Sequence, residues 1–211
     1  MLHNLFRESL RQLPLIAILR GVATEEVVEL GKVLQESGFR VIEVPLNSPS
    51  PLQSIQRLRE SLPDHCLVGA GTVMSATQVR EVASAGGQII VMPHSDPGVI
   101  YAAKKAGLLC APGVVTPSEA FAALAAGADA LKLFPAELIS PAAVAAMRSV
   151  LPPATVMLPV GGITTDNMQT YLKAGANGFG LGSALYRAGQ LLEQTAANAR
   201  RFAQAWQLLC A

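Results

Sequence analysis

Short apolar runs rich in β-favouring residues recur along the chain at residues 15–19, 40–44, 67–71, 88–92, 108–111, 130–134, 155–160 and 178–182. Their starts lie about 20 to 27 residues apart, enough for one strand, one helix and two short loops. Between them, apolar residues repeat at helical spacing. Thr24 is placed to cap the first such unit, with Val27, Val28, Leu30, Val33 and Leu34 on one face and Gly38 at its end. Further helical units are predicted over 50–62, 75–85, 96–106, 116–126, 140–151 and 165–174. Residues 190–209 read as a longer final helix with Leu191, Leu192, Ala196, Ala199, Phe202, Ala203 and Trp206 on one face.

Strict alternation of strand and helix implies a parallel sheet, whose strands are buried on both faces and so read as nearly continuous apolar runs. Eight such units predict closure into a (β/α)8 TIM barrel, an α/β fold, with residues 1–211 forming one domain. With 51% hydrophobic and 15% charged residues, the chain suits one well-buried core. An open doubly wound sheet is the competing architecture. It lacks its usual signature, because Gly69-Ala70-Gly71 has no third glycine opening a helix.

A net charge of +1, with no run of Lys or Arg, gives nucleic-acid binding little electrostatic support. No apolar stretch approaches the roughly 20 residues needed to cross a bilayer, and Met1-Leu2-His3-Asn4-Leu5-Phe6-Arg7 lacks the pattern of a secretory leader. A cytoplasmic protein acting on a small molecule is expected. Cys66, Cys110 and Cys210 are widely spaced and read as reduced packing thiols. His3, His65 and His94 are equally scattered, so no protein-built metal site and no cofactor are expected.

Two charges interrupt this apolar pattern. Lys132 stands in Ala130-Leu131-Lys132-Leu133-Phe134-Pro135, and Glu43 in Arg40-Val41-Ile42-Glu43-Val44-Pro45. Alternate strand residues face the barrel axis and the surrounding helices. Leu131 and Leu133 then face outward while Lys132 faces in, and Ile42 and Val44 face outward while Glu43 faces in. Burial disfavours the ammonium form, and a neutral amine can attack a ketone to form a Schiff base. A carboxylate clamped onto the amine would oppose this, so Glu43 is expected to stand off, bridged by water or substrate, and to act as general acid and base. A buried ion pair closing the barrel is the blander alternative.

At the ends of the last two strands lie Pro159-Val160-Gly161-Gly162 and Gly180-Leu181-Gly182-Ser183. Those are the phosphate positions of a (β/α)8 barrel, where glycines let backbone N–H groups approach an anion, so Gly161, Gly162, Gly182 and Ser183 are candidates for phosphate binding. Glycines merely making tight turns are the blander alternative, which their recurrence at both of the last two strand ends weakens. Arg20, directly after strand one, has a planar fork suited to a carboxylate, and Thr72, after strand three, offers a hydroxyl to the same group. Phe134 reads as wall of the site, and Asn47 as either a substrate contact or part of a turn before Pro49.

Together these segments resemble the bacterial 2-keto-3-deoxy-6-phosphogluconate and 6-phosphogalactonate aldolase family. The likeness runs through Ile16-Ala17-Ile18-Leu19-Arg20-Gly21, Glu43-Val44-Pro45-Leu46-Asn47-Ser48-Pro49, Val68-Gly69-Ala70-Gly71-Thr72-Val73, Leu131-Lys132-Leu133-Phe134-Pro135, Val160-Gly161-Gly162 and Gly180-Leu181-Gly182-Ser183-Ala184-Leu185-Tyr186. The resemblance implies a metal-independent class I aldolase on a (β/α)8 barrel, usually a homotrimer. Its substrate is a sugar acid phosphate, cleaved to pyruvate and D-glyceraldehyde 3-phosphate. It implies Lys132 as the Schiff-base lysine and Glu43 as the proton shuttle. In the gluconate branch the strand-two motif usually reads Glu-x-Thr-Leu-Arg-Thr; here Pro45 and Asn47 stand for its Thr and Arg, which leaves Arg20 to bind the carboxylate. That branch also has Pro-Thr-Gly-Gly where this chain has Pro159-Val160-Gly161-Gly162. The resemblance therefore implies the galactonate type, with Val160, Asn47 and Phe134 bearing on specificity. The gluconate epimer as main substrate, an isomerase or decarboxylase on a phosphate-binding barrel, and a non-catalytic phosphosugar-binding regulator are the alternatives.

Overall fold

The computed structural model describes residues 1–210. Nine strands, β1 (Leu15–Ile18), β2 (Val41–Pro45), β3 (Leu67–Gly71), β4 (Ile89–Val91), β5 (Leu109–Ala111), β6 (Gly113–Val114), β7 (Leu131–Leu133), β8 (Met157–Pro159) and β9 (Phe179–Leu181), alternate with helices. All pairings are parallel, in the orders β5-β4-β3-β2-β1-β9 and β6-β7-β8. A bridge between Val160 and Gly180 joins β8 to β9. On the other side the chain runs straight from β5 through Pro112 into β6. Proline has no N–H to give the ladder, which separates β5, the predicted fifth strand, from the short β6 that lies beyond the predicted range. β7 nevertheless follows both strands, since Asp129 N donates to Cys110 O and Lys132 N donates to Pro112 O. The sheet thus closes into eight positions, the predicted (β/α)8 barrel.

Eight helices surround it: α2 (Val27–Glu36), α3 (Pro51–Ser61), α4 (Ala76–Ser84), α5 (Pro97–Lys105), α6 (Pro117–Ala125), α7 (Pro141–Val150), α8 (Met168–Lys173) and α9 (Leu192–Cys210). The side chains of Ser75, Asp96, Thr116 and Ser140 accept hydrogen bonds at the starts of α4 to α7. Thr24 does not cap α2. That helix begins three residues later, and the Thr24 hydroxyl pairs instead with Ser54 Oγ at 3.1 Å. Along α9, Ala196, Ala199, Phe202 and Ala203 are buried as the pattern predicts, whereas Leu191 precedes the helix and is exposed.

The repeat pattern missed one element. A further helix, α1 (Leu2–Gln12), precedes the first strand and lies across the barrel floor. Its Phe6, with Leu2, Leu5 and Leu10 around it, packs against the inward-facing Ile16, Val41, Leu67, Ile89, Leu109, Ala130 and Leu158. Burying a side chain of that size stabilises by about 1.5–3 kcal/mol. Asp129 adds a polar tie: its carboxylate lies 2.9 Å from His3 Nδ1 and 2.5 Å from Lys104 Nζ, and accepts from Cys110 N at 2.8 Å. The floor is therefore closed, and access to the axis comes from the opposite rim. Outward-facing Ile42, Val44, Leu131 and Leu133 belong to the separate layer between sheet and helices. Cys66 and Cys110 are free and buried. Burial pushes the Cys110 thiol up to about 12, helped by the nearby Asp129 charge. The side chain of Cys210 lies outside the described residues.

Candidate active site

Register sets the two inward charges. Ile18, Glu43 and Gly69 stand side by side across β1, β2 and β3, and Gly113, Lys132 and Leu158 across β6, β7 and β8. Both side chains are buried, Glu43 at 1% and Lys132 at 4% exposure. They bound one chamber of about 10 Å³ on the axis, walled otherwise by Ile16, Ile18, Val91, Ala111 and Leu158. That is the scale of a single water molecule. Among the described residues no carboxylate lies within 4.0 Å of Lys132 Nζ, so the two are not clamped as an ion pair. Glu43 Oε2 has no hydrogen-bond partner.

Desolvation dominates both groups. It raises the Glu43 carboxyl to about 7, against the opposing pull of Lys132 and then Arg20. It lowers Lys132 below the ordinary amine range; the Glu43 charge opposes this and the Arg20 charge reinforces it. Each group is thus pushed toward its neutral form. The Lys132 ammonium nitrogen sits 4.5 Å from the centroid of the Phe134 ring, which borders the mouth of the chamber.

Above the chamber opens a cleft of about 320 Å³, within the range of small-molecule sites. Lys132, Phe134 and Ile18 form its inner end. Gly161 and Gly162 after β8, and Gly182 and Ser183 after β9, line its wall, while Val160 and Gly180 line both this cleft and the chamber that holds the lysine. Gly161 and Gly162 have φ of +109° and +61°, backbone that L side chains rarely adopt, and a Cβ on either would run into the side chain of Glu137. The backbone conformation by itself favours glycine at both positions.

Arg20 also lines the cleft. Its Nη1 donates to Asn47 Oδ1 at 2.7 Å, and both Nη atoms make long contacts of 3.5 Å with Thr72 Oγ1. Asn47 therefore meets the cleft through Arg20, a connection its sequence position does not reveal. Thr72 has φ +57°, an outlying conformation for a β-branched residue, of the strained kind that clusters at functional sites. All eleven candidate residues from the sequence converge on one end of the barrel. Sequence reasoning overlooked Arg187, which also lines the cleft, five residues after Gly182. Its only signal was a basic residue just beyond the glycine-rich run. Among the described residues, no three His, Cys, Asp or Glu side chains are grouped to hold a metal ion.

Known proteins resemble this chain along most of its length. The chain is 47% identical over 176 residues to a probable 2-dehydro-3-deoxy-6-phosphogalactonate aldolase of Rhizobium meliloti, covering 83% of each chain. It is 43% identical to the 2-dehydro-3-deoxy-6-phosphogalactonate aldolase of Escherichia coli, covering 93% of this chain and 96% of that one. A solved structure described as native KDPGal superposes with a TM-score of 0.92 at 43% identity, over 94% of this chain and 96% of that one. The family model for KDPG and KHG aldolases matches residues 6–201, and the chain belongs to that aldolase family.

Proposed function

We propose that this chain is a class I aldolase, a carbon–carbon lyase. Its substrate is 2-dehydro-3-deoxy-6-phospho-D-galactonate, cleaved to pyruvate and D-glyceraldehyde 3-phosphate through a Schiff base on Lys132. The observation that carries the reading is the pair of buried groups, Lys132 and Glu43, bounding one chamber without an ion pair, each pushed toward neutrality. A purely structural pair would be expected to touch, since separated buried charges cost desolvation with little Coulomb return.

Neutral Lys132 Nζ attacks the C2 ketone of the substrate. Loss of water from the resulting carbinolamine, assisted by the Glu43 proton, gives an iminium. The electrons of the C3–C4 bond flow into that iminium as Glu43, through water, removes the proton of the C4 hydroxyl, and the aldehyde departs. Glu43 then returns a proton to the enamine at C3, and hydrolysis of the imine frees pyruvate. Arg20 and Thr72 hold the carboxylate, and the turns at Gly161–Gly162 and Gly182–Ser183 hold the phosphate. The scissile bond is thereby suspended between two anchored anions. Val160, Asn47 and Phe134 shape the middle of the site, where the galactonate and gluconate epimers differ. The sugar acid phosphate is multiply charged and crosses bilayers poorly, which suits a cytoplasmic enzyme.

The reading also includes a homotrimer. Tyr101 on α5, Val115 before α6 and Phe121 on α6 are exposed apolar residues on neighbouring helices, a surface suited to burial against another copy. A solution mass of three times 22.0 kDa is the expected result.

Borohydride reduction in the presence of pyruvate tests the chemistry. The expected product is a covalent adduct on the peptide containing Lys132, with turnover lost in Lys132→Ala. An unmodified lysine, or a Lys132→Ala enzyme of comparable activity, refutes the mechanism.

A further inference from the structure

The phosphate end of the cleft is built from backbone donors: glycine N–H groups give direction but carry no net charge, while a phosphate monoester arrives as a dianion at neutral pH. The chain as a whole, at net charge +1, provides no general attraction. Behind the Gly161–Gly162 turn the carboxylate of Glu137 packs against both glycines, adding negative charge where the ligand is to be negative. A compensating cation is required nearby.

Arg187 meets that requirement. It lines the same cleft as Gly161, Gly162, Gly182 and Ser183. Its Nε donates to Ser183 O at 3.1 Å, which fastens the base of the guanidinium to the turn itself. The four N–H bonds on its two Nη atoms make no hydrogen bond, and no carboxylate lies within 4.0 Å, among the described residues. Other arginines are differently employed: Arg148 spends both Nη groups on the carbonyls of Thr155 and Pro152, and Arg20 is engaged with Asn47 and Thr72. A guanidinium with a free fork matches two phosphate oxygens at once.

Resting on the aldolase reading above, we propose that Arg187 is a specificity-determining residue that grips the substrate phosphate through its free Nη groups. It makes the enzyme prefer phosphorylated over unphosphorylated sugar acids.

The test compares wild type, Arg187→Gln and Arg187→Lys on the phosphorylated substrate and on its dephosphorylated analogue, and titrates each protein with glycerol 3-phosphate. Loss of one partly exposed charge-assisted pair is expected to raise KM for the phosphorylated substrate, and Kd for glycerol 3-phosphate, about tenfold. The kcat and the kcat/KM for the dephosphorylated analogue should not change, lysine should restore part of the loss, and added salt should narrow the difference. Unchanged KM and Kd in Arg187→Gln, or equal losses on both substrates, overturn the proposal. A wild type that releases no pyruvate from the phosphorylated sugar acid refutes the aldolase reading instead. In that case the glycerol 3-phosphate titration still judges Arg187 by itself: tighter binding to wild type upholds it, and equal binding overturns it.

Discussion

The carboxylate of Glu43 occupies the space that any side chain on Gly71 would need. A Cβ built at Gly71 would fall 2.5 Å from Glu43 Oε1 and closer still to Oε2. Gly71 ends β3 beside Pro45, two positions beyond the Gly69–Glu43 pairing. Its φ lies outside the left-handed region, so glycine is required here by the neighbour alone.

Gly71→Ala is therefore expected to disable the enzyme through Glu43. Overpacking of this kind costs about 1–3 kcal/mol of stability. Displacing a general acid–base group costs about 10²–10⁴ in rate. Steady-state kinetics on the folded variant checks this: kcat falls at least 100-fold with a modest change in KM. A variant that keeps wild-type kcat would show that the carboxylate is not needed where it lies.

The strands and helices were legible because burial on both sheet faces writes itself into every strand as an apolar run. Glu43 and Lys132 were conspicuous for the same reason, each violating such a run. What remained hidden depends on register or on contacts distant in sequence. Gly71 matters because β2 and β3 align Pro45 with it. Asn47 matters because Arg20, 27 residues earlier, reaches its amide oxygen. Helix α1 has the apolar residues of an amphipathic helix, but it stands outside the strand–helix repeat that made the others recognisable. Arg187 is an exposed residue in irregular chain, where no periodicity assigns a direction to a side chain.

The raised Glu43 carboxyl gives a pH prediction with a definite sign. Glu43 first gives its proton to the carbinolamine and only then takes one from the C4 hydroxyl, so the free enzyme must enter the cycle with Glu43 protonated, and kcat/KM should fall as pH rises through an inflection near 7. Glu43→Gln should lose that inflection along with at least 100-fold in kcat. Stability moves the same way. The folded chain holds this proton more tightly than the unfolded chain, so the stabilisation is complete below about pH 4.5 and is lost as pH rises through 7. Glu43→Gln should then be more stable than wild type at pH 8, by up to about 3 kcal/mol, a figure that already nets burial against the Lys132 attraction, and by much less at pH 5. Denaturant unfolding at the two pH values measures the difference.

Asn47→Ala tests whether Asn47 works through Arg20. Removing the amide oxygen frees the guanidinium that it holds at 2.7 Å, while leaving Lys132 and Glu43 untouched. A charge-assisted hydrogen bond on an exposed group should cost about tenfold in KM, with kcat nearly constant. Pyruvate, which presents the carboxylate alone, should lose affinity by a similar factor when used as an inhibitor. If Asn47 touched the sugar instead, pyruvate affinity would stay unchanged and only the full substrate would suffer.

Val160 gives the last prediction, on epimer choice. It lines both the cleft and the chamber that holds Lys132, bridged to Gly180, where a Cβ would collide with its methyl groups. Its side chain is therefore fixed in place and apolar, unable to accept or donate a hydrogen bond to a C4 hydroxyl. Val160→Thr keeps the shape and adds one hydroxyl to that wall. One new hydrogen bond to a positioned substrate hydroxyl is worth about 1 kcal/mol, so the ratio of kcat/KM between the galactonate and gluconate epimers should move about fivefold toward the gluconate. Pyruvate release from the two substrates, measured side by side for both proteins, reads the ratio directly. A ratio unmoved by the substitution would assign the choice of epimer to another part of the site.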